Sequence, residues 1–177
     1  LYDSGLSLLH PHAANWFMDG TAPRRTGNAH PNIYPYDALA TGTDPIFVAV
    51  GNDRQFASFC RCIGLPALAD DPLYRTAGAR SVNRDGLKQQ LEAALAAFVG
   101  RTLVGPVVAA GVPAAPVLPV AAALQHPHTL HREMVVEMEG GYRGIGAPVK
   151  LTRTPASYRH APLTPGDAFL PSDDSAG

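Results

Sequence analysis

Between Arg24 and Leu39 the chain reads RRTGNAHPNIYPYDAL, which sets Asn28, His30, Asn32, Tyr34 and Tyr36 at alternating positions. Each carries a hydrogen-bonding side chain, and in extended backbone alternate side chains share one face. Pro31 and Pro35 stiffen the run, so such a ribbon could form one wall of a small-molecule site without drifting. Gly27, Asn28, His30, Pro31, Tyr34 and Tyr36 are therefore the candidate ligand-binding residues. A linker that merely packs well between domains would have the same spacing.

Other chemistry has weaker support. Of the seven histidines, His126, His128 and His131 are the tightest group. On a helix starting near Pro127, His128 and His131 would share a face at i, i+3, with Glu133 close behind, but no HExxH or facing Cys/His set accompanies them. His126-Pro127 reads equally well as a helix start with proline at its first position, and no metal is expected. No GxSxG elbow supports a serine nucleophile, and neither GxGxxG nor GxxxxGK[ST] offers a phosphate cradle. Asp70-Asp71 before Pro72 reads as a turn. Cys60 and Cys62 stand two apart in an expected helix and point to different sides, which makes them packing thiols rather than a disulfide or zinc pair.

The elements that must position the ribbon can be read on either side of it. Leu6, Leu9, Ala13, Trp16 and Phe17 recur at helical spacing, interrupted at Pro11 and closed at Asp19-Gly20. That apolar stripe calls for a partner surface. Ile46 to Val50 (IFVAV) is a short apolar run, expected as a strand buried on both faces. Gly51-Asn52-Asp53 turns it into a helix, with Asn52 or Asp53 as cap and Phe56, Phe59, Cys60 and Ile63 on one side. Asn83 is the expected cap of a second helix bearing Leu87, Leu91, Leu95 and Phe98. TLVGPVVAAG is helical by composition but interrupted at Gly105-Pro106. VPAAPVL reads as extended, Val120 to Gln125 as a short helix, and the runs around Gly140-Gly141 as a hairpin. Short strands mixed with helices, without repeating βαβ units, indicate an α+β fold with a short antiparallel sheet and flanking helices.

Composition bounds the function. The 177 residues carry net charge −1, and the 14 Lys+Arg cluster no further than Arg24-Arg25, so nucleic-acid binding has no electrostatic footprint. No apolar run approaches the roughly 18 residues of a membrane span, and no signal-peptide pattern opens the chain; a soluble, cytoplasmic protein is expected. With 17 Gly and 17 Pro it should be loop-rich yet folded.

Taken in order, GNAHPNIYPYDAL, FVAVGNDRQF, LADDPLY, NRDGL, AAGVPAAPV, HPHTLHREMVVE and GAPVKLTRTPA resemble the family III (CaiB/BaiF-type) CoA-transferases, the group that includes formyl-CoA transferase. The resemblance implies a fold of a Rossmann-like large domain and a smaller α+β domain, with two subunits interlocked as a homodimer. Residues 1–25 would be the last helix of the large domain and a linker, 26–155 the small domain, and 156–177 a mobile tail. It also implies CoA transfer between carboxylic acids through an aspartyl-CoA intermediate, with CoA and acyl-CoA as substrates and no other cofactor. The nucleophilic aspartate belongs to the large domain and has no counterpart here, so no catalytic residue is assigned and the chain alone is expected to be inactive. The loop matching GNAHPNIYPY would face the acyl end of the site. Asp53 is expected as a helix cap and Asp85 as first-turn charge. The related α-methylacyl-CoA racemases carry a glutamate just before the strand matching IFVAV, where this chain has Leu39-Ala40-Thr41, and that departure argues against a racemase. A racemase-like fragment and a non-catalytic binding or assembly module remain the alternatives.

Overall fold

In a computed structural model the described residues are 1–162. The far part of the expected mobile tail, 163–177, lies outside them. The chain divides into two compact units, Leu1–Val117 and a second from Leu118 onward, a boundary that falls inside the 26–155 span.

The first unit opens with two short helices, α1 (Tyr2–Ser7) and α2 (His12–Asp19). The break falls at Pro11, which precedes the first turn of α2, and Gly20 ends α2 with φ 71°, a conformation glycine adopts without steric cost. Neither helix buries a residue. A three-stranded antiparallel sheet follows, in the order β1 (Tyr36–Leu39), β2 (Ile46–Ala49), β3 (Ala114–Pro116). Leu39 pairs with Ile46 and Asp37 with Val48, so these four point to one face. That face receives α3 (Asp53–Cys62), α5 (Arg84–Leu95) and α6 (Gly100–Ala109), whose Phe56, Phe59, Leu87, Leu91, Leu95, Leu103 and Val107 complete the core. The short helix α4 (Ala77–Val82), capped by Thr76 Oγ1, precedes α5.

Four local expectations are corrected. IFVAV is buried on one face only; Phe47 and Ala49 are half-buried, because the helices cover a single side of this antiparallel sheet. Asn83 does not cap α5: its amide donates to the carbonyls of Leu73 and Ala79, at 3.2 and 3.0 Å, and so ties α4 to the preceding loop. Asn52 rather than Asp53 caps α3, accepting from the N–H of Gln55 at 2.9 Å. TLVGPVVAAG runs as helix straight through Pro106. The carbonyl that this proline leaves unpaired belongs to Thr102, itself exposed, so water can reach it.

In the second unit α7 (Val120–Leu124) and α8 (Pro127–His131) precede a hairpin of β4 (Val135–Glu137) and β5 (Arg143–Ile145). Its turn uses Gly140 and Gly141 at φ 79° and 81°. Among the described residues no single helix is long and apolar enough to cross a membrane.

Two buried acids give the first unit a pH signature. Burial pushes the Cys60 thiol up to about 12 and raises the Tyr34 phenol, which the Asp37 carboxylate raises further. In the unfolded chain both groups ionise at their ordinary values, near 9 and 10. The stabilisation is thus complete below pH 9 and is lost as pH climbs toward 12. Urea midpoints should fall between pH 8 and 11; a flat profile would show that the two groups reach solvent.

Candidate functional site

The ribbon is not an extended strand. Gly27, at φ 64°, begins a tight turn closed by Ala29 N–H to Thr26 O at 3.1 Å, and bends continue to Pro35. What orders this irregular backbone is a set of side chains from α4 and the start of α5. Arg80, 0% exposed, donates through Nε to Tyr34 O at 3.0 Å and through a terminal nitrogen to Tyr74 O at 2.9 Å. Its other terminal nitrogen meets Asp53 Oδ1 at 2.8 Å, and its guanidinium lies 4.5 Å from the Phe56 ring centre. Ser81 Oγ donates to Asn32 O at 2.6 Å. Arg84 donates to His30 O and Pro31 O at 3.3 and 3.0 Å, and to Ser81 O at 3.2 Å. Four of the five carbonyls from residue 30 to residue 34, which regular structure leaves unpaired, are thereby satisfied, those of 30, 31, 32 and 34. From the other side the Asn15 and Asn32 amides exchange a reciprocal pair of hydrogen bonds, 2.8 and 2.9 Å.

The six candidate residues do not share one face. Tyr34 turns inward, 1% exposed, and its hydroxyl is buried with no partner among the described residues. It supports the loop from below and presents no group to a ligand, because the bends at 27–33 break the alternation that an extended run would impose. Gly27 and Asn28 are exposed, while His30, Pro31 and Tyr36 are half-buried. The His30 ring stacks on Tyr36 at 5.1 Å and 8°, and Tyr36 meets Phe47 edge-on at 5.6 Å. These three rings form an aromatic ladder on the sheet face opposite the core, fixed where His30 N–H donates to Tyr36 O at 2.9 Å.

Beside the loop a cleft of about 470 Å³ is lined by His12, Asn15, Arg24, Thr26, Pro31 and Asn32. Of the acids in this unit, Asp37 pairs with Lys88 at 3.0 Å, Asp44 with Arg101 at 2.7 Å and Asp53 with Arg80. In the second unit His126 Nδ1 accepts from His128 N–H at the start of α8, and among the described residues no three His, Cys, Asp or Glu side chains group as metal ligands. Cys60 is buried and Cys62 half-buried, both as free thiols.

The CoA-transferase family III model matches residues 1–167. The chain belongs to that family. It is 36% identical over 152 residues to acetyl-CoA:oxalate CoA-transferase of Acetobacter aceti, covering 86% of this chain and 39% of that protein. It is 33% identical to succinyl-CoA:mesaconate CoA-transferase of Haloarcula hispanica, over 92% of this chain and 42% of the relative. Among solved structures, a CaiB/BaiF family protein from Brucella suis superposes with TM-score 0.73 at 32% identity, over 84% of this chain and 39% of that one. The chain thus spans about two fifths of the length of the relatives it matches. As a family III CoA-transferase segment it has the mixed helical and antiparallel architecture of its structural neighbour. Its organising residues, Arg80, Ser81 and Arg84, escaped the sequence reading. No local signal marks them, because the loop they order lies some fifty residues earlier in the chain.

Proposed function

We propose that residues 26–155 form the small domain of an enzyme that moves CoA between carboxylic acids, with the loop from Gly27 to Tyr36 as one wall of its acyl site. The family match over residues 1–167 carries the reaction class. Supporting the location is a loop whose backbone is ordered by the buried Arg80 and the half-buried Ser81 and Arg84, while His30, Pro31 and Tyr36 remain half-open. Gly27 and Asn28 complete that wall.

The chemistry needs a carboxylate nucleophile. It attacks the acyl-CoA carbonyl and expels the CoA thiolate, giving a mixed anhydride; the thiolate then attacks the aspartyl carbonyl, forming aspartyl-CoA and releasing the donor acid. The acceptor carboxylate attacks this thioester, and the thiolate finally takes its acyl group and restores the aspartate. Holding thioester and acid against the nucleophile supplies much of the rate, which is the task of a rigid wall. Asp37, Asp44 and Asp53 are committed to ion pairs, and we assign the nucleophile to a Rossmann-like domain outside this chain. Residues 1–25 belong to that domain and its linker, and two such subunits interlock. The bare face of α1 and α2 supports this arrangement: Leu6, Leu9, Trp16 and Phe17 line an apolar cleft of about 390 Å³, and Phe17 is 78% exposed. The absence of an acid at Leu39-Ala40-Thr41 favours transfer over racemisation.

The full-length product of the gene encoding this chain should transfer CoA between acids in a thioester-exchange assay, and the 177 residues alone should not. Turnover by the chain alone would overturn the placement of the nucleophile; no transfer by the longer product with any acyl-CoA would overturn the activity.

A further inference from the structure

His30 has a fixed proton arrangement. Its Nδ1 accepts from the backbone N–H of Asn32 at 3.1 Å and of Ile33 at 3.3 Å, so the neutral ring carries its proton on Nε2. Stacking on Tyr36 holds the ring plane, which aims that N–H without a further loss of rotamer freedom on binding. No protein acceptor takes it among the described residues. Arg84 donates to the carbonyl of His30 itself, and its guanidinium otherwise meets the carbonyls of Ser81 and Pro31 and the face of the Tyr34 ring at 5.7 Å. Among the described residues it has no carboxylate partner, so its charge is uncompensated while its geometry is locked.

We propose that His30 Nε2–H, backed by Arg84, receives the second, non-reacting carboxylate of a dicarboxylic acid substrate. The assignment rests on the transferase reading above and deepens it by naming the substrate class. A carboxylate at Nε2 would gain a charge-assisted hydrogen bond and a favourable potential. The charges acting on the ring agree in sign. Burial, then electrostatic repulsion from His12, Arg84 and His10, holds its pKa below 6.5, and no acid is among the causes. An anion bound at Nε2 relieves that field and must raise the same pKa. A monocarboxylic substrate has no second acid to spend here, which makes the receptor a selector between the two classes.

The test has two arms. In the 177-residue chain the His30 imidazole is followed by NMR across pH with succinate or with uncharged succinamide at fixed ionic strength; succinate should raise its pKa, succinamide should not, and Arg84→Met should weaken the response. In the full-length enzyme His30→Asn keeps an acceptor in the place of Nδ1 while deleting Nε2–H. It should raise the ratio of KM for succinate to KM for butyrate, of equal carbon count, by about ten- to a hundredfold. If transfer occurs but His30 ignores succinate and His30→Asn treats both acids alike, the receptor is wrong and the transferase reading stands. A succinate response without CoA transfer in any assay sinks the activity and leaves the receptor. Silence in both arms overturns both.

Discussion

Replacing Arg80 by alanine is expected to cost about 3–5 kcal/mol, enough to leave a domain of ordinary stability barely folded. The size follows from which of its partners suffer. Tyr34 O and Tyr74 O would each lose the donor that satisfies them in the interior, at about 1–3 kcal/mol apiece. The vacated volume also strips the Phe56 ring of its packed cation. The ion pair itself contributes little, since the Asp53 side chain is 56% exposed and would simply be hydrated. Asp53→Asn should accordingly cost under about 1 kcal/mol. Arg80→Lys should behave like the alanine variant in direction, because one ammonium cannot reproduce a planar fork with three separate acceptors. Urea unfolding of the three variants checks this; equal small losses for Arg80→Ala and Asp53→Asn would mean that the carbonyls find water and that the loop does not depend on Arg80.

That dependence also explains what the sequence could and could not reveal. The strand from Ile46 and the helix from Asp53 were legible because β-branched content and helical periodicity are local and strong there, and α5 was legible for the same reason through Leu87, Leu91 and Leu95. Gly140-Gly141 announced its hairpin through the positive φ that a tight turn demands. By contrast AGARSV carries no apolar period, so α4 was invisible, and its arginine would be assigned to the surface by composition alone. The candidate wall is a run of turn and bends rather than extended backbone, so alternation misplaces its side chains. Alternation assigns faces only in extended backbone, and the turn at Gly27 followed by bends sends Tyr34 into the core while His30 and Tyr36 stay half-open. Nothing local encodes that outcome. It is decided by Arg80, Ser81 and Arg84, some fifty residues away, through hydrogen bonds to backbone atoms that every residue type possesses.

The same substitution at two glycines of α6 should move stability in opposite directions. At Gly100 a Cβ would strike the carbonyl oxygen of Asp44 and approach Thr41 Oγ1 at 3.0 Å. This contact is where the turn between β1 and β2 docks on the helix start: Gly100 N–H donates to Thr43 Oγ1 at 3.1 Å, Gly42 N–H to Phe98 O at 3.0 Å, and Arg101 to Asp44 at 2.7 Å. A backbone carbonyl cannot swing aside as a flexible side chain does. Gly100→Ala must therefore push the turn off the helix, releasing those bonds together, and should cost more than about 3 kcal/mol, above the usual 1–3 for overpacking. Gly105 sits in the middle of the same helix with nothing within 4 Å of its missing Cβ. There alanine only removes conformational freedom from the unfolded chain, so Gly105→Ala should stabilise by about 0.5–1 kcal/mol. Side-by-side urea unfolding distinguishes docking from helix propensity as the dominant effect. Were both variants stabilised, the close approach of Gly100 to Asp44 would not exist in solution, and the turn would be free of the helix that seats it.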